Sequence, residues 1–281
     1  MTTPLAGRTS GRTSGHTSGR TRPDRCPGVL RPWPAEDGNL VRLRLAGGRL
    51  PAASLRALLA VAARYGDGDV HVTGRANLQL RGLGPISDGV VESIAATGLL
   101  PSRSHELVRN LMVSPQTGLA GGRADLRPVV AALDAQLCAD RALAGLPGRF
   151  LFVLDDGRGD LLERPCDLGL VALGDRFGQL RVGASWGPVV PLASAPEVLL
   201  DLARAFLRAR TTQWHVTELD VPLVDEMPPD PRTPLPRPPL PYGEVPGGFH
   251  AAAPDGVIEP PLGALDGELV VTPWRGVLVP A

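Results

Sequence analysis

Apolar and polar residues alternate from Leu40 to Leu45, with Val41, Leu43 and Leu45 on one face and Arg42 and Arg44 on the other, which predicts a half-buried strand. After Pro51 the period lengthens. Leu55, Leu58, Leu59 and Ala62 recur at helical spacing until Gly66 stops the run. Val70–Thr73 and Leu78–Leu80 predict two short strands around a Thr-Gly-Arg turn, and Ser87 is placed to cap a helix carrying Val90, Val91 and Ile94. Residues 26–100 therefore read as strand, helix, strand, strand, helix.

Residues 103–222 predict a second unit, in which helix and strands mix around one core. A helix over Leu126–Leu143 turns Val129, Val130, Leu133 and Leu137 inward, and strands are expected over Arg149–Leu154, Leu168–Leu173 and Gln179–Gly183. Ser194-Ala-Pro-Glu197 has the form of a capping box opening a helix through Arg208. Nine prolines between residues 222 and 241 predict an extended linker. Residues 1–22, built from Thr-Ser-Gly-Arg units with few apolar side chains, are expected to be a disordered tail.

The remaining residues, 242–281, restart the first unit in shortened form. Asp67-Gly-Asp-Val-His-Val-Thr-Gly-Arg-Ala-Asn-Leu-Gln-Leu80 and Asp266-Gly-Glu-Leu-Val-Val-Thr-Pro-Trp-Arg-Gly-Val-Leu-Val279 share an acidic turn, a strand, a Thr, a nearby Arg and a second strand. Pro27-Gly28 before Asp37-Gly38 and Pro246-Gly247 before Asp255-Gly256 extend the match, and the duplication points to pseudo-symmetry. On this register the second copy lacks the element corresponding to Leu50–Tyr65, which should expose its core, and the chain stops as if a following segment were missing.

Composition narrows the function classes. The 29 basic residues balance 29 acidic ones, so net charge announces no nucleic-acid partner. None of the basic residues is Lys, which removes any mechanism that needs one. No apolar run approaches the roughly 18 residues of a membrane span and no signal-peptide core is evident, so a cytoplasmic location is expected. Cys26, Cys138 and Cys166 are far apart and form no CxxC pair, so their spacing supports neither a disulfide framework nor a metal or cluster site held by this chain alone.

Three segments could carry chemistry. Thr73-x-Arg75-x-x-x-Gln79 lies where a turn can point polar groups outward, or it is an ordinary hairpin with an exposed Arg. Arg109-Asn110 beside the apolar run Leu111–Val113 needs an anionic partner, whether a ligand or an internal one such as Glu106. Leu146-Pro-Gly-Arg149-Phe150 enters a strand that ends in Asp155-Asp156-Gly157; the Asp pair reads as a turn, with metal binding the alternative. No nucleophile elbow, P-loop or dinucleotide fingerprint is present, and His71, His105 and His215 are isolated in sequence.

Together these segments resemble the nitrite and sulfite reductase family, including its precorrin-3B synthase branch in aerobic cobalamin biosynthesis. The resemblance implies an α+β fold: a ferredoxin-like half-domain, a sirohaem-type α/β domain and a shortened second half-domain. It implies that Arg75, Gln79, Arg109, Asn110, Arg149 and Arg275 meet tetrapyrrole carboxylates or a bound anion. Forked, permanently charged guanidinium groups suit a ligand rich in carboxylates. Sulfite reductases resemble this chain at Leu-Pro but continue Arg-Lys-Phe-Lys; Leu151 stands where the second Lys would be, which disfavours sulfite reduction. Thr272-Pro-Trp-Arg275-Gly276 and Asp155-Asp156-Gly157 are similar to the precorrin-3B synthase branch.

The family's [4Fe–4S] cluster needs four thiolates in two close pairs, which three scattered Cys do not supply. The expectation is a precorrin-3B synthase-like oxidoreductase truncated before its cluster domain, with a tetrapyrrole as substrate or ligand and a second polypeptide required for activity. A non-catalytic tetrapyrrole-binding protein, an inactive remnant and a nitrite/sulfite reductase-like fragment are the alternatives.

Overall fold

The computed structural model describes residues 25–281, so the low-complexity segment 1–22 lies outside the described residues. The chain opens with an antiparallel hairpin of β1 (Trp33–Ala35) and β2 (Gly38–Leu43). A 3-10 turn, Ala46–Gly48, leads into β3 (Arg49–Pro51) and α1 (Ala52–Tyr65). The helix follows Pro51 and buries Leu55, Leu58, Val61 and Ala62 on one stripe. β4 (His71–Val72), β5 (Leu78–Leu83) and α2 (Asp88–Ala96) complete the first half-domain, with sheet order β1-β2-β5-β4.

The second unit begins at β6 (Leu111–Val113) and continues through α3 (Arg127–Ala139), β7 (Phe152–Asp155), β8 (Leu168–Ala172), β9 (Phe177–Val182), β10 (Ser185–Pro191) and α4 (Ala195–Ala209). β6, β7 and β8 run parallel, and β9 and β10 extend the sheet antiparallel. α3 and α4 cover one face, where Leu133, Leu137, Phe150, Phe152 and Phe206 are fully buried.

Three local expectations change here. The helix expected to reach Leu143 ends at Ala139, because the Asp140 carboxylate accepts from Ala142 N and from Arg204 Nε of α4, turning the chain into a 3-10 segment. Neither Ser87 nor Ser194 makes a side-chain cap. Ser194 Oγ donates instead to the Pro191 carbonyl at 3.1 Å, so the capping box is not formed. The proline-rich stretch has no helix, but it is a strap rather than a free spacer. Met227 bridges Trp186 of β10, Gln179 of β9 donates to the Pro228 carbonyl and accepts from Asp230 N, and Arg237 N donates to the Gly159 carbonyl.

The chain then forms β11 (Gly243–Val245), β12 (Gly248–Ala252), a 3-10 turn at Pro254–Gly256, the single helical turn α5 (Pro260–Gly263), β13 (Glu268–Val271) and β14 (Gly276–Pro280). The two halves are related, but in a register different from the expected one. The Asp37-Gly38 hairpin corresponds to the Pro246-Gly247 hairpin, since each joins the first two strands of its half. Asp255-Gly256 corresponds to Gly47-Gly48: both pairs sit in the 3-10 turn after the second strand, with positive φ at all four residues. The helix expected to be missing is present as one turn, α5, packed on α1.

The halves also exchange strands. β3 of the first pairs with β13 of the second, giving the sheet β11-β12-β14-β13-β3, while Val257 of the second bridges His71 of the first. Leu269, Val271 and Val277 are consequently buried in the same core as Leu50, Leu55 and Leu78. The second half-domain does not expose its apolar face, because α1 and the first half cover it. Residues 26–100 and 242–281 thus share one core.

Candidate functional site

The strand exchange places the Thr-Gly-Arg turn of the first half against the 3-10 turn of the second. Between them lies an open cleft of about 380 Å³ lined by Arg42, Arg75, Gln79, Arg81 and Arg275, with His71 and Asp255 at its wall. Both Thr…Arg motifs therefore reach one site from sequence positions some two hundred residues apart.

Each motif forms the same tight turn. Thr73 N donates to Asn77 O, Ala76 N donates to Thr73 O, and the Thr73 hydroxyl accepts from Asn77 N. In the second half Thr272 N donates to Gly276 O, Arg275 N donates to Thr272 O, and the Thr272 hydroxyl accepts from Gly276 N. The hydrogen bonds align Thr73 with Thr272 and Ala76 with Arg275, both in the left-handed region at φ 56° and 60°. Arg75 and Arg275 are therefore not equivalent positions: Arg75 aligns with Trp274. The motif similarity in sequence carries a one-residue offset, because what the fold preserves is the turn.

Arg42 and Gln79 face each other across β2 and β5. With its amide oxygen turned toward Arg42, Gln79 accepts from Nη2 at 2.7 Å and Nε at 3.2 Å. Arg75 Nη1 donates to the Arg149 carbonyl at 3.2 Å. Burial depresses the pKa of both guanidinium groups; Cys26 opposes the shift in each, while the Arg75 charge adds to it at Arg42 and the Arg149 charge adds to it at Arg75. Arginine stays cationic through such shifts. Among the described residues neither Arg42 nor Arg75 has an ion pair to a carboxylate, nor does Arg275, which is exposed. Arg81 is paired with Asp37 at 3.0 Å.

The pseudo-equivalent place in the second half is filled. A Cβ built on Gly48 would fall inside the van der Waals shell of the Val271 carbonyl, whereas one on Gly256 would stay 3.6 Å from the Val72 carbonyl. At the counterpart of Arg42 stands His250, fully buried, bonded to the Pro241 carbonyl and the Thr272 hydroxyl, with the Tyr242 ring 4.7 Å away. One half keeps an open, cationic cleft; the other packs its counterpart with aromatic rings.

Arg75, Gln79 and Arg275 are thus brought together, while the other expected contacts are not. Arg109 is buried and points to α3, where Nε and Nη2 each reach an Asp134 carboxylate oxygen at 2.7 Å and Nη1 donates to the Arg44 carbonyl. Its partner is Asp134, not Glu106, which accepts from Val29 N and Leu30 N. Asn110 is buried with four bonds, accepting from Arg44 Nε and donating to the carbonyls of Leu107, Gly148 and Phe150. Both residues therefore fasten the half-domain to the second unit, and neither lines the cleft. Arg149 sends its side chain over Trp214, 6.0 Å from the ring centroid, and contributes only its carbonyl. Arg42, Arg81 and His71 line the cleft without having been expected there. The alternation of β2 put Arg42 on the polar face, but its neighbours depend on the β2–β5 pairing.

The Asp155-Asp156-Gly157 segment is a turn. Asp155 accepts from the backbone N–H groups of Gly157, Gly159 and Leu161, and Asp156 pairs with Arg158 at 2.7 Å. Among the described residues no cluster of three or more His, Cys, Asp or Glu side chains could hold a metal. Burial pushes the Cys166 thiol up to about 11 and also raises that of Cys138, the reverse of what a thiolate ligand needs. The three Cys do not fit a four-thiolate cluster. No helix among the described residues is long and apolar enough to cross a membrane.

Comparison with known proteins agrees with this architecture. Residues 33–86 match the nitrite/sulfite reductase ferredoxin-like half domain. The chain is 33% identical over 193 residues to a ferredoxin–nitrite reductase of Synechococcus elongatus, covering 60% of this chain and 37% of that protein. It is 31% identical over 140 residues to a precorrin-3B synthase of a Sinorhizobium species, covering 47% of this chain and 28% of that protein. The chain thus spans about a third of the length of these relatives. The solved structure of the Mycobacterium tuberculosis NirA protein superposes with a TM-score of 0.66 at 17% identity, over 86% of this chain and 54% of that one, a likeness of fold. Residues 33–86 thus carry the nitrite/sulfite reductase ferredoxin-like half domain, and in its relatives and its fold the chain is similar to members of the nitrite/sulfite reductase family.

Proposed function

We propose that this chain forms the tetrapyrrole-contacting part of a precorrin-3B synthase-like oxidoreductase. The observation that carries the proposal is the convergence of Arg42, Arg75 and Arg275 in one open cleft, none of them in an ion pair with a carboxylate among the described residues. Two partly buried guanidinium groups, Arg42 and Arg75, beside the exposed Arg275 and without an ion pair of their own, are unfavourable without an anionic ligand. A cleft of about 380 Å³ suits the carboxylate-bearing edge of a macrocycle rather than the whole of it. A bound tetrapyrrole would bring the conjugated ring on which the oxidation takes place. Arg42 and Arg75 would hold and orient its carboxylates, with Gln79 and the Arg149 carbonyl holding the guanidinium planes.

Two features favour the precorrin-3B synthase branch over sulfite reduction. Leu151, where the resemblance places a Lys of the sulfite reductases, is buried with Met112, Val153 and Leu161. The turn Thr272–Gly276, similar to that branch in sequence, is held against the second unit by a hydrogen bond from Arg164 Nη2 to the Pro273 carbonyl. The similarity to a ferredoxin–nitrite reductase supports a second reading, in which the same edge contacts belong to a sirohaem-bearing nitrite reductase.

The test is an absorption titration of the purified chain with uroporphyrin, an eight-carboxylate tetrapyrrole, and with sirohaem. Arg42→Ala and Arg75→Ala should each weaken binding about 10-fold or more, the scale of one charge-assisted hydrogen bond. Absence of binding, or binding indifferent to both substitutions, refutes the proposal. Tight retention of sirohaem without binding of the free-base ligand selects the nitrite reductase reading.

A further inference from the structure

His71 stands at the wall of the arginine cleft and has no role in the reading above. Its backbone is fixed from both sides, opposite Gln79 of β5 and bridged to Val257 of the second half-domain. Its ring is fixed as well. Nε2 lies 2.9 Å from Asp67 Oδ2, and the other oxygen of that carboxylate accepts from Asp69 N. A carboxylate acceptor at Nε2 selects the tautomer that carries its proton there. Nδ1 then has no proton in the neutral ring and becomes a donor in the imidazolium. No hydrogen bond to Nδ1 occurs among the described residues.

We propose that His71, oriented by Asp67, is a proton-gated contact for a ligand carboxylate in this cleft. In the imidazolium form Nδ1–H donates to the carboxylate and adds a cation to Arg42, Arg75 and Arg275. In the neutral form the Nδ1 lone pair repels it. Where the ring is neutral before binding, Nδ1 takes up a proton from solvent as the ligand binds, and no bond of the ligand is made or broken. The charged groups around the ring are Asp67 on its own loop, the Asp37–Arg81 pair from the neighbouring strands, and Asp255 and Arg275 from the second half-domain. The His71 charge reaches far enough to help hold the Asp37 carboxyl below the usual range, behind the larger effect of Arg81. A histidine changes charge between about pH 5 and 8, where Arg and surface carboxylates do not.

This inference rests on the proposed tetrapyrrole reading and is tested separately from it. Calorimetric titration with uroporphyrin in two buffers of different ionisation enthalpy gives both affinity and proton uptake. The wild type should bind roughly tenfold more tightly at pH 6 than at pH 8, with about half a proton taken up near pH 7 beyond that of His71→Gln. His71→Gln should bind with affinity nearly flat over that range, Asp67→Asn should lose part of the pH effect, and Arg75→Ala should bind more weakly but keep the proton uptake. Unfolding midpoints matching the wild type would show that His71→Gln leaves the fold intact. Wild-type binding with unchanged proton uptake in His71→Gln overturns this inference alone; no wild-type binding at any pH overturns both.

Discussion

The pairing of Arg109 with Asp134 separates a ligand contact from a structural one, and its removal gives a large, directional effect. Both Arg109 nitrogens nearest the carboxylate lie at 2.7 Å, and the two side chains retain 8% and 21% exposure. Burial works against the Arg109 charge, yet its hydrogen bonds and attraction to Asp134 outweigh this and hold its pKa above the ordinary value. Asp134→Ala leaves a buried guanidinium with no counter-charge, which costs about 3–5 kcal/mol. Arg109→Ala should cost less, about 2–3 kcal/mol, because the Asp134 carboxylate is partly open to water and can rehydrate. Urea unfolding followed by far-UV circular dichroism measures both. The double variant Arg109→Met with Asp134→Leu should recover a good part of the loss, since two apolar groups leave no unpaired charge. Tetrapyrrole affinity of the folded Arg109→Ala protein should stay within about threefold of wild type, whereas Arg75→Ala keeps stability and loses affinity. An Arg109→Ala protein as stable as wild type but unable to bind the tetrapyrrole would refute the structural assignment.

Three further outcomes follow from the geometry. Burial, reinforced by Asp155, lifts the Asp160 carboxyl to about 7 even though Ser114 Oγ donates to it at 2.7 Å and Arg158 lies nearby. Because its folded-state pKa lies above the unfolded value of 3.8, the folded protein keeps a proton that the unfolded chain releases, and stability falls as pH rises between about 4 and 7. Asp160→Asn, which keeps an acceptor for Ser114, should flatten that fall and gain most relative to wild type at pH 8, by at most about 4 kcal/mol, in chemical denaturation across pH. Gly48→Ala meets the Val271 carbonyl at φ 74° and should destabilise by about 2 kcal/mol more than Gly256→Ala, which pays only for its φ of 79°; thermal unfolding compares them. Ser194→Ala should change stability by less than about 0.5 kcal/mol, since its hydroxyl caps no helix N–H; a loss above 1 kcal/mol would restore the capping box.

Local pattern made much of the architecture legible. The alternation around Val41, the spacing of Leu55, Leu58 and Ala62, and the Val129–Leu137 stripe each appear as the expected strand or helix, because the period of apolar positions reports which face an element must bury. The short strands β1 and β3 were not legible: three residues carry too little period to stand out. Within the site, Arg75 and Gln79 were legible as polar positions on a strand-flanked turn, and Arg275 through its likeness to them. Arg109 was legible as an Arg that needs an anion, but its partner, Asp134, lies on a helix whose packing against β6 no local pattern announces.

The sequence by itself determined that this chain has two related half-domains around a distinct α/β unit, and that its cationic positions are all guanidinium groups. Only the tertiary structure decided how the halves fit. Arg49 pairs with Glu268, β3 completes the sheet of the other half, and Val257 reaches back to His71, contacts between segments some two hundred residues apart. That exchange buries the second half despite its one-turn helix, shifts the correspondence of its Arg by one residue, and opens one cleft while closing the other. The physical reason is that hydrophobic period states which side of an element must be covered, whereas the identity of the cover, and the charges it brings to a cleft, exist only once distant segments have packed.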